Sequence, residues 1–225
     1  MARKLLKFVR DITAPTLTTV AFSSNNANTV WAKVSDVVTL TFTSSEAVNS
    51  VIVSIAGKNQ TVVQLTPTTF SVAYTLVSGD STGEIPFTVD AKDLNGVAAT
   101  TVLVTTGEEI VTFDKTAPTL SSATRTNDTT LAVLLSELGI TASITKANAG
   151  GFVVAETGTP ATTYAVSGLA PGGTNATVVL TVATVAASSA AGVTVTYVSG
   201  GNGTVADRAS NALATNATGV LVAAW

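Results

Sequence analysis

A seven-residue phrase that occurs twice constrains this chain more than any other feature. Asp11-Ile12-Thr13-Ala14-Pro15-Thr16-Leu17 returns as Asp114-Lys115-Thr116-Ala117-Pro118-Thr119-Leu120, identical at six of seven positions and offset by 103 residues. Each proline fixes φ and pushes the residue before it towards extended geometry, so the phrase reads as a stiff lead-in to a first strand. Two domains are therefore expected, 11–113 and 114–225, behind a short arm at 1–10. Each is large enough to hold a core without disulfides, and the chain has no Cys.

Within the first domain apolar residues alternate with Thr and Ser. Val38, Leu40 and Phe42 form one such set; Val51, Val53 and Ile55 a second; Phe70, Val72, Tyr74 and Leu76 a third; Ile85, Phe87 and Val89 a fourth. Turn-forming stretches such as Ala56-Gly57-Lys58-Asn59 and Ser78-Gly79-Asp80 separate them. Period-two alternation makes strands with one buried face, and two such sheets packed face to face satisfy it. Thr and Val fill 73 of 225 positions, and their stiff χ1 angles suit a pleated surface better than a helix. The expected fold class is all-β. A strand over Val97 to Val104 and a short one at Ile110 to Phe113 should complete the first domain.

The second domain alternates at Leu131, Val133 and Leu135, at Val178, Leu180 and Val182, and at Val193, Val195 and Tyr197, and ends in an apolar run from Val220 to Trp225. Its Gly and Ala clusters read as loops, with one helical turn expected near Ile144 to Ala149.

Charge is scarce and unevenly placed. Charged residues make up 11% of the chain, against about a quarter in an ordinary globular protein. Arg3, Lys4, Lys7 and Arg10 put +4 into the first ten residues, which leaves 7 basic and 14 acidic residues, or −7, in the remainder. Leu5, Leu6, Phe8 and Val9 lie between those cations, so the arm is a candidate anchor on an acidic protein surface. Four charges are too few to hold nucleic acid tightly, and no nucleic-acid partner is expected. Lys7 and Arg10 interrupt the apolar residues that a secretory signal would need, so no export signal is expected. Although mean hydropathy is +0.46, no apolar run approaches the length of a membrane span, and no membrane insertion is expected.

The residues also limit the chemistry. Without His or Cys the chain has no imidazole base, no thiolate and no nitrogen or sulfur ligand for a transition metal. No nucleophile elbow, phosphate loop or dinucleotide fingerprint occurs, and an enzyme is not expected. Glu108 and Glu109 are adjacent, which on a strand puts them on opposite faces rather than in one acid/base site. No cofactor or metal is expected from spacing; were calcium bound, its oxygen ligands would be sought at Asp90, Asp93 and Asn95 and at Asp114 on the boundary. An Asp-Asn-Gly turn held by its own side chains accounts for the first group equally well.

Longer phrases carry a resemblance. Asp11 to Leu17, Ala32-Lys33-Val34-Ser35-Asp36-Val37-Val38-Thr39-Leu40-Thr41-Phe42, Ser45-Glu46-Ala47-Val48, Val53-Ser54-Ile55-Ala56-Gly57-Lys58 and Asp90-Ala91-Lys92-Asp93-Leu94-Asn95-Gly96 together resemble the tandem bacterial Ig-like modules of large surface proteins. The second domain resembles a related module ending in D-x-A-G-N-A-L, here Asp207-Arg208-Ala209-Ser210-Asn211-Ala212-Leu213 with Ser at the Gly position. The resemblance implies two tandem immunoglobulin-like β-sandwich domains in a non-catalytic role, as in surface adhesins and in tailed-phage capsids, tails and fibres. The expectation is a virion protein anchored through Arg3, Lys4, Leu5, Leu6, Lys7, Phe8 and Arg10 to other structural proteins or identical subunits, within an assembly. The alternative is a secreted adhesin or filament subunit at the bacterial surface, with a host-surface ligand as a further candidate partner.

Overall fold

The structure, a computed structural model, describes residues 11–137, 151–157, 162–172, 176–185, 192–198 and 205–223. The chain forms two compact units, Met1–Asp114 and Lys115–Trp225. The division falls one residue past the expected boundary, where the Asp114 amide still donates to the Ala32 carbonyl at 2.8 Å. Among the described residues there is no helix, and none is long and apolar enough to cross a membrane.

The first unit contains β1 (Leu17–Ser24), β2 (Trp31–Ala32), β3 (Val37–Ser44), β4 (Val48–Ile55), β5 (Lys58–Gln60), β6 (Val63–Gln64), β7 (Thr69–Thr75), β8 (Gly83–Glu84), β9 (Phe87–Asp93) and β10 (Thr112–Phe113). One sheet runs β1-β3-β7-β6, a second β5-β4-β9, and a small third β2-β10-β8. The first two have the order of the two sheets of an immunoglobulin-type sandwich, in which the alternating inward residues of both make the core. Val38, Leu40, Phe42, Phe70 and Val72 from one sheet meet Val53, Ile55, Phe87 and Val89 from the other, all buried. Phe42 stacks on Phe70 at 5.1 Å between ring centroids, and Phe22 tilts against Phe87 at 5.4 Å.

The expected strand over Val97 to Val104 is not continuous. It bonds to β9 only at isolated bridges, Lys92 with Ala98 and Val89 with Val102, and then leaves that sheet. Four residues on, Thr106 bonds reciprocally to Val20 of β1, through its amide to the Val20 carbonyl (2.9 Å) and its hydroxyl from the Val20 amide (2.8 Å). A segment that crosses from one sheet to the other in so few residues cannot keep a regular ladder with either. Glu108 and Glu109 follow a turn and lie outside any strand, Glu108 with φ of 58°, so the opposite-face expectation does not apply to them.

The second unit contains β11 (Leu120–Asn127), β12 (Thr130–Leu135), β13 (Phe152–Glu156), β14 (Thr163–Tyr164), β15 (Val166–Pro171), β16 (Thr177–Val182), β17 (Val193–Tyr197) and β18 (Asn216–Ala223). Its strands run without a break in the order β14-β13-β17-β18-β11-β12-β16-β15. β18 makes the join, antiparallel to β17 at one end and parallel to β11 at the other. The two sandwich sheets are thus hydrogen-bonded into one sheet wrapped around a single core of Leu131, Val133, Leu180, Val195, Tyr197 and Leu213 with their neighbours. The expected helical turn at 144–149 and the end of the run at Trp225 lie outside the described residues.

Candidate functional site

The repeated phrase has a structural partner that is also repeated. In the first unit Thr16 and Ser45 bond reciprocally: the Thr16 amide donates to Ser45 Oγ (3.0 Å) and the Ser45 amide to the Thr16 carbonyl (2.8 Å). In the second, Thr119 and Ser136 make the same pair at 3.0 and 2.9 Å. This clamp holds the lead-in beside the turn that follows the second strand of each sandwich. In both turns the next residue is acidic, Glu46 and Glu137.

A third carboxylate arrives from the far end of the first unit's other sheet. Asp93 closes β9, and its Oδ1 accepts the amides of Asn95 (2.9 Å) and Val97 (2.6 Å), which folds the Asp-Leu-Asn-Gly turn. Gly96, with φ of 85°, takes the left-handed position that such a turn requires. Asp93 is 1% exposed, and its Oδ2 is buried without a hydrogen-bond partner. Carboxylate oxygens of Asp11, Glu46 and Asp93 lie within 4.8 Å of one another. Asp11 is exposed and its Oδ1 accepts the Thr13 amide at 2.9 Å.

The second unit repeats the loop. Asp207 Oδ1 accepts the Asn211 amide at 2.9 Å, the Asp207 amide donates to the Asn211 carbonyl at 3.1 Å, and Ser210 takes φ of 66° where the first unit has Gly96. Carboxylate oxygens of Glu137 and Asp207 come within 4.8 Å, and in sequence Asp114 stands where Asp11 stands in the first copy.

Of the candidate calcium ligands read from sequence, the structure brings only Asp93 into a carboxylate cluster within the first unit. Asp90 is exposed and accepts a hydrogen bond from the Thr101 hydroxyl; Asn95 serves through its backbone amide. Asp114 ends the first unit. Spacing within one loop missed Asp11 and Glu46, which lie 82 and 47 positions before Asp93. The missed signal was the repeat itself: an Asp opens both lead-ins, and Ser-Glu recurs as Ser45-Glu46 and Ser136-Glu137. The arm residues Arg3, Lys4, Leu5, Leu6, Lys7, Phe8 and Arg10 lie outside the described residues.

A second polar cluster in the first unit is satisfied within itself. Asp80, 4% exposed, accepts from Lys58 Nζ (2.5 Å), the Tyr74 hydroxyl (2.9 Å) and the Val77 amide (2.9 Å). Burial pushes the Asp80 carboxyl up, but the Lys58, Val77 and Tyr74 donors outweigh it and hold the group below its ordinary value. The Asp80 carboxylate, with the Tyr74 hydroxyl, raises the Lys58 ammonium in turn. Both Asp80 oxygens accept hydrogen bonds within this cluster, so the network fixes loops.

No protein-family model and no curated protein matches the chain. Among solved structures it is similar to a DUF4785 family protein from Legionella pneumophila, at 12% identity and a TM-score of 0.36, covering 78% of this chain and 49% of that one. It is also similar to the I9-I11 tandem of titin, at 11% identity and a TM-score of 0.28, covering 94% of this chain and 66% of that one. The chain thus spans about half of the first and just under two thirds of the second. At these scores the immunoglobulin-like assignment rests on the strand order itself.

Proposed function

We propose that this chain is a non-enzymatic structural protein whose two Ig-like units are displayed on a phage virion, as a capsid decoration, tail or fibre component. The basic, apolar arm from Arg3 to Arg10 anchors it to other capsid or tail proteins, or to identical subunits. The observation that carries this reading is the split in charge, +4 within the first ten residues against −7 in the remainder. A compact basic segment beside a mildly acidic body is suited to dock on an acidic protein surface while the body stays solvated. Two units with separate cores supply a repeated body for display. Deleting residues 1–10 should abolish incorporation into particles and leave the thermal unfolding of both units unchanged. Full occupancy by the truncated protein would remove the anchoring role.

A second reading, a secreted adhesin or filament subunit at the bacterial surface, draws on a groove in the first unit. Exposed Leu103, Val104 and Ile110 line about 210 Å³ together with Glu84, Glu108 and Glu109. Its acidic and apolar lining matches the chemistry of the arm, so the arm of the next subunit is its occupant in this reading. The same deletion separates the two: polymers that dissolve into monomers on truncation, seen by light scattering, favour the filament.

A further inference from the structure

We propose that the first unit is completed by a strand from a second copy of this chain. Residues 4–10 of one copy dock in the groove lined by Leu103, Val104, Ile110, Glu84, Glu108 and Glu109 of another, and pair with the free backbone edge at Phe22. The inference rests on the filament reading above for its occupant and adds what that occupant pairs with and why it comes from another chain.

The edge is left open by the segment that crosses between the sheets. That segment bonds reciprocally to β9 at Val89, through Val102 (2.9 and 3.0 Å), and to β1 at Val20, through Thr106. Alternate residues of an antiparallel strand turn their N–H and C=O to the same side. Val20 and Val89 turn theirs away from β3 and β4, so Phe22 and Phe87, each two positions away on its strand, do the same. Both line the groove, and their rings meet at 5.4 Å. Among the described residues neither has a backbone partner on that side, because the chain turns off after Thr105, whose carbonyl accepts the Glu108 amide at 3.3 Å. A sheet edge with unpaired N–H and C=O groups is a template for an added strand. In the second unit β18 pairs with β11 at Ala123 and Thr124, the counterparts of Val20 and Ala21 in the repeat, so that unit covers its own edge.

Charge and apolar surface select the occupant. Leu103, Val104 and Ile110 are each more than half exposed, and the exposed Glu84, Glu108 and Glu109 lie beside them. The ion pairs among the described residues are Lys58 with Asp80 and Arg125 with Asp128, so none of these three carboxylates is in one. Written as an extended segment, the arm puts Leu6 and Phe8 on one face with Lys4 and Arg10 at its ends, an apolar centre between two cations. Reach decides whose arm it is. Asp93 ends β9 and Phe87 begins it, about 20 Å apart at about 3.3 Å per residue. Asp11 is at the Asp93 end, their carboxylate oxygens within 4.8 Å, whereas the groove is at the Phe87 end. Crossing that distance takes about six extended residues, Arg10 back to Leu5. A chain's own arm would therefore spend Leu5, Leu6, Phe8 and Val9 on the way, whereas the arm of a second copy is not tethered at that end.

The native chain has no cysteine, so single introduced thiols report the contact without background. Full-length Val9→Cys is mixed with full-length Val104→Cys under mild oxidation, and the disulfide-linked peptides are identified by mass spectrometry. Positions 9 and 104 should join between chains, in clear excess over Val9→Cys mixed with Val63→Cys, an exposed site on the edge strand β6. Adding Glu108→Lys and Glu109→Lys to the Val104→Cys chain should lower that yield about tenfold, since two attractions become repulsions. All of these positions are exposed, so the variants keep their fold. A yield at 9–104 no greater than at 9–63, or one that the charge reversals leave unchanged, overturns the docking site. A disulfide closing within one chain in dilute Val9→Cys/Val104→Cys overturns the choice of a second copy. Light scattering of the parent keeps this apart from the filament reading. Polymers without a 9–104 contact retain the filament and remove this site; a 9–104 contact in a chain that stops at dimers retains the site and removes the filament.

Discussion

The two units solve one problem in two ways. Each has the same sandwich order, and in each the last segment must pass from one sheet to the other. In the first unit that segment touches β9 at two bridges, then reaches β1 only through Thr106 and Val20. In the second, β18 makes the crossing as one strand, pairing with β17 and then with β11. The difference lies in one bend. Gly219 in β18 has φ of 76°, and its amide donates to Asn216 Oδ1 at 2.7 Å, so the strand bulges without breaking. The first unit has no glycine between Val97 and Thr106, and its segment loses the ladder instead. The cores differ as well: Phe22, Phe42, Phe70, Phe87 and Phe113 fill the first, whereas Phe152, Tyr164 and Tyr197 are the aromatics of the second.

The largest expected effect comes from removing the bend. Gly219→Ala places a Cβ 2.8 Å from Thr196 Cγ2 and 3.0 Å from the Val195 carbonyl, at a φ that L-residues avoid. Strain and overpacking together should cost the second unit about 2–4 kcal/mol. Calorimetry should show its transition falling while that of the first unit stays in place; a joint shift of both would mean that the units do not unfold separately.

Next in size is Asp80→Asn, confined to the first unit. It removes the charge that Lys58, Tyr74 and Val77 converge on, and about 1–3 kcal/mol should be lost. Because the folded-state pKa of Asp80 lies below its ordinary 3.8, its contribution is present above that value and disappears as pH falls through the lowered one. Parent and variant should therefore converge in stability in acid and diverge near neutrality. A constant gap from neutral pH down to strongly acidic pH would show that the carboxylate charge is not what stabilises the loop.

The smallest effect should be a gain. Ser210→Gly relieves a left-handed Ser in the turn where the first unit already has Gly96. The relief, less the extra entropy of the unfolded chain, is about 0.5–1 kcal/mol in favour of the second unit. A loss of stability measured by thermal unfolding would mean that the Ser hydroxyl contributes more than its backbone costs.

Much of this was legible from residues. The repeat at Asp11 and Asp114 marked two units, and the alternating sets at Val38, Val53, Phe70 and Val178 marked strands whose inward faces are the observed cores. The segment from Val97 to Val104 was misread because its apolar residues satisfy a strand pattern, although the chain spends them on two different sheets. Periodicity reports which residues want burial; it does not report which neighbour supplies the backbone partners. Glu108 was misread for the same reason, since a left-handed turn residue leaves no mark on the apolar pattern.

The carboxylate cluster shows the same boundary more sharply. Asp93 was singled out because it lies among other oxygen ligands in one loop, a proximity that sequence shows directly. Asp11 and Glu46 joined it only through the antiparallel fold of the sandwich and the clamp between Thr16 and Ser45. By itself the sequence determined the number of units, the strand-forming stretches and the sign of charge along the chain, because composition and period act locally. Which strands pair, where the last strand crosses and which acids meet depended on the tertiary structure, because each requires contacts between residues tens of positions apart.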